Sequence, residues 1–293
     1  MSISTTICAV IVTYNRVEKL KETLDAYLLA GIEQLVVVNN ASTDGTQEFL
    51  CSFNSDLCAT TVLTMTENLG GAGGFHAGLQ YARDNIETDW IVVSDDDSYP
   101  DSSSLTAFKA ELAMSVKCSL FASAVYYPTG EICLMNQPML ISGVKKTLAN
   151  LFKGNKLTGL DKTLYQSERS VEITASSFVG LFIKRDALLE SKVLPDPNFF
   201  LYWDDIAFCL DMGKRGYSLR FLPLVSFVHD CARHSQSLSE QRLYYMVRNG
   251  LRVILRLPTY LIFLSLPIKL LIWANTARKE KSLIWFIKAL RDV

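Results

Sequence analysis

The chain of 293 residues is nearly balanced in charge, with 29 Lys and Arg against 30 Asp and Glu, and 49% of it is hydrophobic. That composition fills a core, excludes global disorder and fits one large domain or one and a half. The balance hides a split: from residue 241 onward ten basic residues face two acids, which leaves residues 1–240 with 19 basic and 28 acidic.

The first fifteen residues lack a basic n-region and read as a strand, so no secretory signal is expected. Residues 7–13 (ICAVIVT) form a continuous apolar run, as a buried parallel strand does. Val17, Leu20, Leu24, Tyr27 and Leu28 recur at helical spacing, with Gly31 as the stop. Residues 34–38 (QLVVV) predict a second strand, ending in the turn formers and helix cap of NNASTDGT. A weaker third strand is predicted at 61–66, then the glycine-rich NLGGAGG and a helix over 75–83, then a fourth strand at 90–94.

This β-α-β-α-β-α-β series predicts an α/β, Rossmann-like, mostly parallel sheet with helices on both faces. Ligands of such sheets sit beyond the carboxyl ends of the strands. The polar clusters fall there: Thr13-Tyr14-Asn15-Arg16, Asn39-Asn40, Asn68 with its glycines, and Asp95-Asp96-Asp97. Further on the pattern predicts a helix over 102–117, a strand over 119–126, a loop-rich insertion at 129–170 and a strand over 171–184. A helix over 204–215, short strands at 218–222 and 225–228, and a helical, basic stretch from about 238 complete it. Two parts follow: 1–240, divisible at 100, and a C-terminal helical segment, 241–293.

Three adjacent carboxylates after a buried strand repel one another and are best tolerated beside a cation; hard oxygen ligands in a short loop suit Mg²⁺ or Mn²⁺. The alternative is a solvated acidic turn capping a helix at Asp101-Ser102-Ser103. The glycines at 70–78 allow close backbone approach to a ligand. They miss the dinucleotide fingerprint, because His76 stands where its third glycine belongs. A flexible turn is the other reading. Trp203 with Asp204 and Asp205 sets an aromatic face of the kind sugars stack on beside two acids, only one of which can cap the helix. His229 ends an apolar strand; alone it reads as structural, and it gains a metal role only if it meets Asp97 in space. His76 and His234 receive no role. The seven Cys are scattered without C-x-x-C, which speaks against a disulfide framework or a structural zinc site and suits a reducing cytosol.

The ordered set VTYNR, NNASTDGT, NLGGAGGF, DDD, WDD and a later His resembles family 2 glycosyltransferases with the GT-A fold, over residues 7–250. The glycine and WDD motifs look most like galactofuranosyltransferases and the related rhamnosyltransferases. The resemblance implies an inverting transferase with a nucleotide-sugar donor and a divalent metal, the donor bound by residues 1–100 and the acceptor by residues 101–240. Thr13, Asn15, Arg16 and Asn40 would line the nucleotide pocket, with Asn68, Gly71, Gly74 and Asp96 toward the donor sugar and diphosphate. Family members often carry an acid where Asn40 stands. Asp95, Asp97 and His229 would hold the metal, Asp205 would be the catalytic base, and Trp203 and Asp204 would hold the acceptor. The chemistry is consistent: a metal stabilises the diphosphate leaving group, and a carboxylate takes the proton of a high-pKa hydroxyl.

In the C-terminal segment Arg248, Arg252 and Arg256 share a helix face, and apolar stretches with Trp273 and Trp285 follow. Basic residues mixed with Trp, Leu and Ile suit an interfacial helix on anionic lipid. The twelve-residue apolar run 257–268 is broken by Pro258 and Pro267 and stopped by Lys269, short of the ~20 residues that span a bilayer. The alternative is a helical pair packed on the catalytic part or on a second subunit. No nucleic-acid motif occurs, and nucleic acid is not expected as a partner. The expected setting is the cytoplasmic membrane face, with a glycan or lipid-linked glycan acceptor in surface-polysaccharide synthesis. A catalytically silent sugar- or nucleotide-binding module on the same fold is the rival from another class. A nucleotidyltransferase is disfavoured, since no Lys/Arg-rich glycine loop follows the first strand.

Overall fold

A computed structural model describes residues 5–53, 57–114, 118–145, 147, 158–232 and 239–293. The first half alternates as read: β1 (Ile7–Thr13), α1 (Val17–Leu29), β2 (Gln34–Asn39), α2 (Thr46–Ser52), β3 (Ala59–Thr64), α3 (Gly70–Asn85) and β4 (Trp90–Asp95). Next come β5 (Ser98–Pro100), α4 (Ser104–Ala113), β6 (Leu120–Tyr126), β7 (Val171–Ile173), β8 (Leu181–Lys184), α5 (Arg185–Ser191), α6 (Asp204–Lys214) and β9 (Leu219–His229). The chain ends in α7 (Glu240–Ile254), α8 (Thr259–Lys279) and α9 (Leu283–Arg291).

Among the described residues the strands form one sheet in the order β3-β2-β1-β4-β8-β6-β9-β5, with β7 on β9. β1 to β4 are mutually parallel; β8 runs antiparallel to both β4 and β6. Every residue of β1 is buried, because its side chains alternate between two covered faces. Ile7, Ala9 and Ile11 pack with Leu20, Leu24 and Tyr27 of α1, whereas Cys8, Val10 and Val12 pack with Phe75 and Leu79 of α3.

The glycines begin α3 itself, five residues before the expected start at 75. Helix and sheet touch through them: a Cβ on Gly74 would lie 2.4 Å from Val12 Cγ1, and one on Gly78 2.4 Å from Val10 Cγ1. Glycine spacing is therefore partly a packing requirement, which overrides low helix propensity. The third strand lies two residues earlier than expected, set by its register with β2, Gln34 opposite Ala59. The single strand expected over 171–184 is two strands in different parts of the sheet, separated by a turn closed by Gly180 at φ +68°. Conversely, the two short strands expected at 218–228 are one, β9. It carries an irregularity that skips from Leu222 to Ser226 against consecutive residues of β6 and absorbs Pro223, which has no N–H to pair. Within 129–170, Leu160 and Tyr165 join the core; residues 146 and 148–157, like 115–117 at the end of the helix expected over 102–117, lie outside the described residues.

The largest difference is α8. It runs unbroken for 21 residues through Pro267 and Lys269, so the expected stop is absent. One face, with Trp273 and Ala277, packs on α7 and α9, and Leu261 is buried as well. That packing offsets the backbone hydrogen bond an internal proline removes. By length and composition this helix could cross a membrane.

Candidate active site

β4 ends at Asp95, and Asp96 and Asp97 form the turn into β5. The Ser98 hydroxyl closes that turn, accepting from the Asp95 N–H at 3.0 Å and meeting Ser94 Oγ at 2.7 Å. β5 pairs antiparallel with β9, Ser98 opposite His229, and the Asp230 N–H donates to the Asp97 carbonyl at 2.8 Å. This register, and no sequence proximity, delivers His229 to the acids. Its Nε2 stands 3.3 Å from Asp97 Oδ1. Asp95, Asp97 and His229 offer ligand atoms that all lie within 4.8 Å of one another. Two carboxylate oxygens and an imidazole nitrogen fit Mn²⁺ or Mg²⁺. His229 Nδ1 meets Asn136 Oδ1 at 2.7 Å. An amide oxygen only accepts, so this contact keeps a proton on Nδ1 and turns Nε2 toward the acids, the usual support of a ligating histidine.

The electrostatics of the turn follow from burial and neighbours. Burial, with the charge of Asp97, pushes the Asp95 carboxyl up to about 6, and burial raises Asp96 to about 7. Burial would also raise Asp97, but His229 and Arg16 outweigh it and hold Asp97 below the ordinary carboxylate range. For His229 burial acts downward; hydrogen bonds to Asp97, Cys133 and Cys231 prevail and push it up to about 12. The Arg16 guanidinium reaches Asp97 Oδ2 at 2.6 Å and Asp96 Oδ1 at 3.4 Å. An open cleft of about 470 Å³ is lined here by Asn15, Arg16, Asp44, Asp97, Asp230 and Cys231.

The other nucleotide-side candidates are engaged within the chain. Asp96 accepts from the Thr13 hydroxyl at 2.8 Å and the Tyr14 N–H at 3.3 Å, tying the end of β1 to the end of β4. Asn15, at φ +54°, accepts from the Thr43 N–H at 2.7 Å and so joins the loops after β1 and β2. Buried Asn40 donates to Asn68 Oδ1 at 3.0 Å and to the Gly70 carbonyl at 2.9 Å, and accepts from the Leu69 N–H at 3.0 Å. It shapes the turn before α3, and both of its N–H donors are spent inside the chain. Gly74 faces β1, whereas nothing lies within 4 Å of the place a Cβ would take on Gly71. Of the two, Gly71 is the one with open space beside its backbone.

Asp204 and Asp205 are the first residues of α6; the cap position is Trp203, in the left-handed conformation at φ +70° with no side-chain cap bond. Neither acid serves as the cap. Phe200 and Tyr202 also have positive φ, 62° and 67°. Non-glycine residues adopt that region at a cost of ~1–3 kcal/mol each, and such strain gathers at functional sites. Asn249 of α7 holds the loop: its amide donates to the carbonyls of Phe199, Leu201 and Tyr202 at 2.8, 2.7 and 3.1 Å. Buried Arg248 donates to the Asn198 and Phe199 carbonyls. The Phe200 carbonyl in turn accepts from the Ala72 N–H at 3.2 Å, so this loop also touches the glycine turn. Burial pushes Asp205 up to about 6. It drives Asp204 well above the ordinary range, and the charges of Asp205 and Asp95 add to that, which places both acids in the field of the Asp95 turn.

Trp203 does not stand free. Its indole N–H donates to the Met246 carbonyl at 3.2 Å, and the ring packs with the C-terminal helices, with Lys269 Nζ 5.9 Å from the ring centre. The basic face expected for lipid is likewise partly spent inside. Arg248 lies over Tyr244 and Tyr245, the Arg252 guanidinium donates to the Asp292 carbonyl at 2.9 Å, and Arg256 covers Phe199. The sequence reading missed Asn136 and Asn249, which support the site from an unpatterned insertion and from a helix read only for its charges. His76 Nδ1 meets the Pro195 carbonyl at 2.7 Å; His234 lies outside the described residues.

Comparison with known proteins meets this geometry. The model of the family "Glycosyl transferase family 2" matches residues 8–158, just over half of the chain. Galactofuranosyltransferase GlfT1 of Mycolicibacterium smegmatis is 25% identical over 229 residues, 77% of this chain and 71% of that protein. Among solved structures, S. aureus TarS 1-349 in complex with UDP-GlcNAc superposes with a TM-score of 0.57 at 15% identity, over 86% of this chain and 66% of that one. GalNAc-T7 with UDP, GalNAc and Mn²⁺ gives 0.57 at 14% identity, over 85% of this chain and 48% of that one. The chain thus spans about half to two thirds of those solved chains, and they share its fold.

Proposed function

The chain belongs to glycosyl transferase family 2, and on that premise we propose that it transfers galactofuranose from UDP-galactofuranose to a hydroxyl of a glycan or lipid-linked glycan, with inversion. The convergence of Asp95, Asp97 and His229 at the carboxyl end of β4 carries the reading. The 25% identity to a galactofuranosyltransferase supports the sugar; rhamnose from its dTDP donor is the second choice.

In this reading Asp95, Asp97 and His229 hold a divalent ion, which when bound offsets the charge developing on the leaving diphosphate. Arg16, held beside the site by Asp96 and Asp97, would pair with a phosphate oxygen. Gly71 offers close backbone approach at the start of α3. Asp205 takes the acceptor proton. The rise of its pKa toward 6 makes it a stronger base that is still ionised at neutral pH. A single base on the face opposite the leaving group gives one displacement, so no covalent sugar intermediate is needed. Asp204 and the edge of Trp203 bound the acceptor side. A donor screen tests the sugar: UDP release from UDP-galactofuranose should exceed dTDP release from dTDP-rhamnose at equal concentration, and the reverse order would transfer the assignment to rhamnose.

The part at 241–293 is proposed to rest on the cytoplasmic face of an anionic membrane. Phe263, Leu271 and Ile284 are more than 70% exposed, on helices that also carry Lys279 and Arg291, with Lys281 in the turn between them. Clustered apolar exposure beside cations is the composition of an interfacial surface. Truncation is a poor test, because Asp292 receives hydrogen bonds from Tyr244 and Arg252 of α7. Phe263→Ser, Leu271→Ser and Ile284→Ser combined should abolish flotation with phosphatidylglycerol-containing vesicles while leaving UDP release intact. Undiminished flotation would assign the exposed face to a second copy of the chain.

A further inference from the structure

Cys133 and Cys231, which form a second cluster with His229, are not used by the proposed chemistry. The ligand atoms of this cluster, too, all lie within 4.8 Å of one another. Both cysteines are free thiols. Cys133 enters from the loop after β6, and Cys231 follows β9 two residues after His229. This is a set the chain spacing hides, since 98 positions separate the thiols in sequence.

We propose that Cys133, Cys231 and His229 form a second metal site, selective for thiophilic ions of the zinc class, that shares His229 with the acid set and opposes it. Two thiolates and an imidazole are zinc donors, whereas Asp95 and Asp97 are hard-ion donors. Zinc at ~2.3 Å from sulfur and ~2.0 Å from nitrogen, with tetrahedral angles, sets S···S at about 3.8 Å and S···N at about 3.6 Å. Cys133 Sγ lies 4.0 Å from His229 Nδ1, so the set closes by small side-chain rotations. Asn136 Oδ1, 2.7 Å from Nδ1 and 3.0 Å from Cys133 Sγ, is an oxygen donor in reach of the fourth position. Cys231 borders the open cleft, which supplies the entry path.

The opposition follows from the imidazole. A neutral ring has one lone pair. With the proton on Nδ1, donated to Asn136, the lone pair is at Nε2 beside Asp97. With a metal on Nδ1 the proton sits on Nε2, donates to the Asp97 carboxylate, and His229 leaves the acid set. The thiols lose their protons to solvent as they bind. The metal-binding half stands on geometry alone; the inhibitory half rests on the role proposed for His229.

The full-length protein, reduced and metal-free, is titrated with Cd²⁺ and followed by thiolate-to-metal charge-transfer absorption. The expected result is a band that saturates at one equivalent in the wild type and in Asp97→Asn, and is lost in Cys231→Ser and Cys133→Ser. Cys133 is fully buried, so the partly exposed Cys231 carries the test if Cys133→Ser does not fold. In the second arm Zn²⁺ inhibits UDP release supported by Mn²⁺ in the wild type, and the fractional inhibition, measured against each protein's own zinc-free rate, is lost in Cys231→Ser. No band at one equivalent, or a band surviving in Cys231→Ser, overturns the site. A normal band with zinc-insensitive release overturns the shared histidine. Failure of UDP release in all preparations counts against the transferase reading and leaves the absorption result standing.

Discussion

Asp205→Ala lowers the rate of sugar transfer by about 10²–10⁴-fold, the range a positioned general base contributes. The proposed donor contacts are Arg16, Gly71 and the metal-binding acids, not Asp205, so the KM for the sugar nucleotide is expected to change little. The wild-type rate falls as pH drops through about 6, where burial sets Asp205. The sign follows from the base: it works ionised, and each proton bound removes it. Because Asp204 and Asp205 feel each other's charge, that limb belongs to the pair. Kinetics on purified Asp205→Ala and Asp204→Ala separate the roles: a near-normal rate in the first with collapse in the second would transfer the base to Asp204.

Asn249→Ala should be the most damaging substitution outside the acids. Its amide is fully buried and is shared among three carbonyls of the strained loop that presents Asp204 and Asp205. Removing it takes a donor from the partly buried Leu201 and Tyr202 carbonyls at ~1–3 kcal/mol each, whereas the Phe199 carbonyl keeps Arg248, so a loss of about 3 kcal/mol is expected. With an unfolding entropy near 2.1 cal/mol/K per residue, that is a fall of about 5 °C in Tm for a chain of this length. The rate should fall further than stability explains, because the positive-φ residues relax once the carbonyls are released and the acids leave the field of Asp95. Differential scanning calorimetry and kcat on the same preparation check both; an unchanged Tm would show that the loop holds itself. Asn249→Asp, which keeps the shape and loses the donors, should behave like alanine.

That clamp also marks where the sequence stops being legible. β1, β2 and β4 were visible because strands buried on both faces are uninterrupted apolar runs, and their polar ends marked the site. Local patterns cannot report what distant register creates. His229 meets Asp97 because β5 pairs with β9, and Asn136 reaches His229 from an insertion without periodicity. Gly74 and Gly78 look like ligand glycines in one dimension, yet their missing Cβ atoms are required by Val12 and Val10 of β1. The arginines at 248, 252 and 256 share a face as read, but their heads are drawn to carbonyls, aromatic rings and the chain end. Charge alone does not tell a docking face from a packed one. Proline and lysine in α8 suggested a break, and packing of Leu261, Trp273 and Ala277 overrides it.

The central claim is that Asp95, Asp97 and His229 hold the ion on which donor cleavage depends. It is tested most directly by UDP release from UDP-galactofuranose, measured with Mn²⁺, after chelation, and after Mn²⁺ is restored, in the wild type and Asp97→Ala. The account predicts release that disappears on chelation, returns with Mn²⁺, and is absent from Asp97→Ala throughout. Release that persists after chelation, or that Asp97→Ala retains at the wild-type rate, would contradict it.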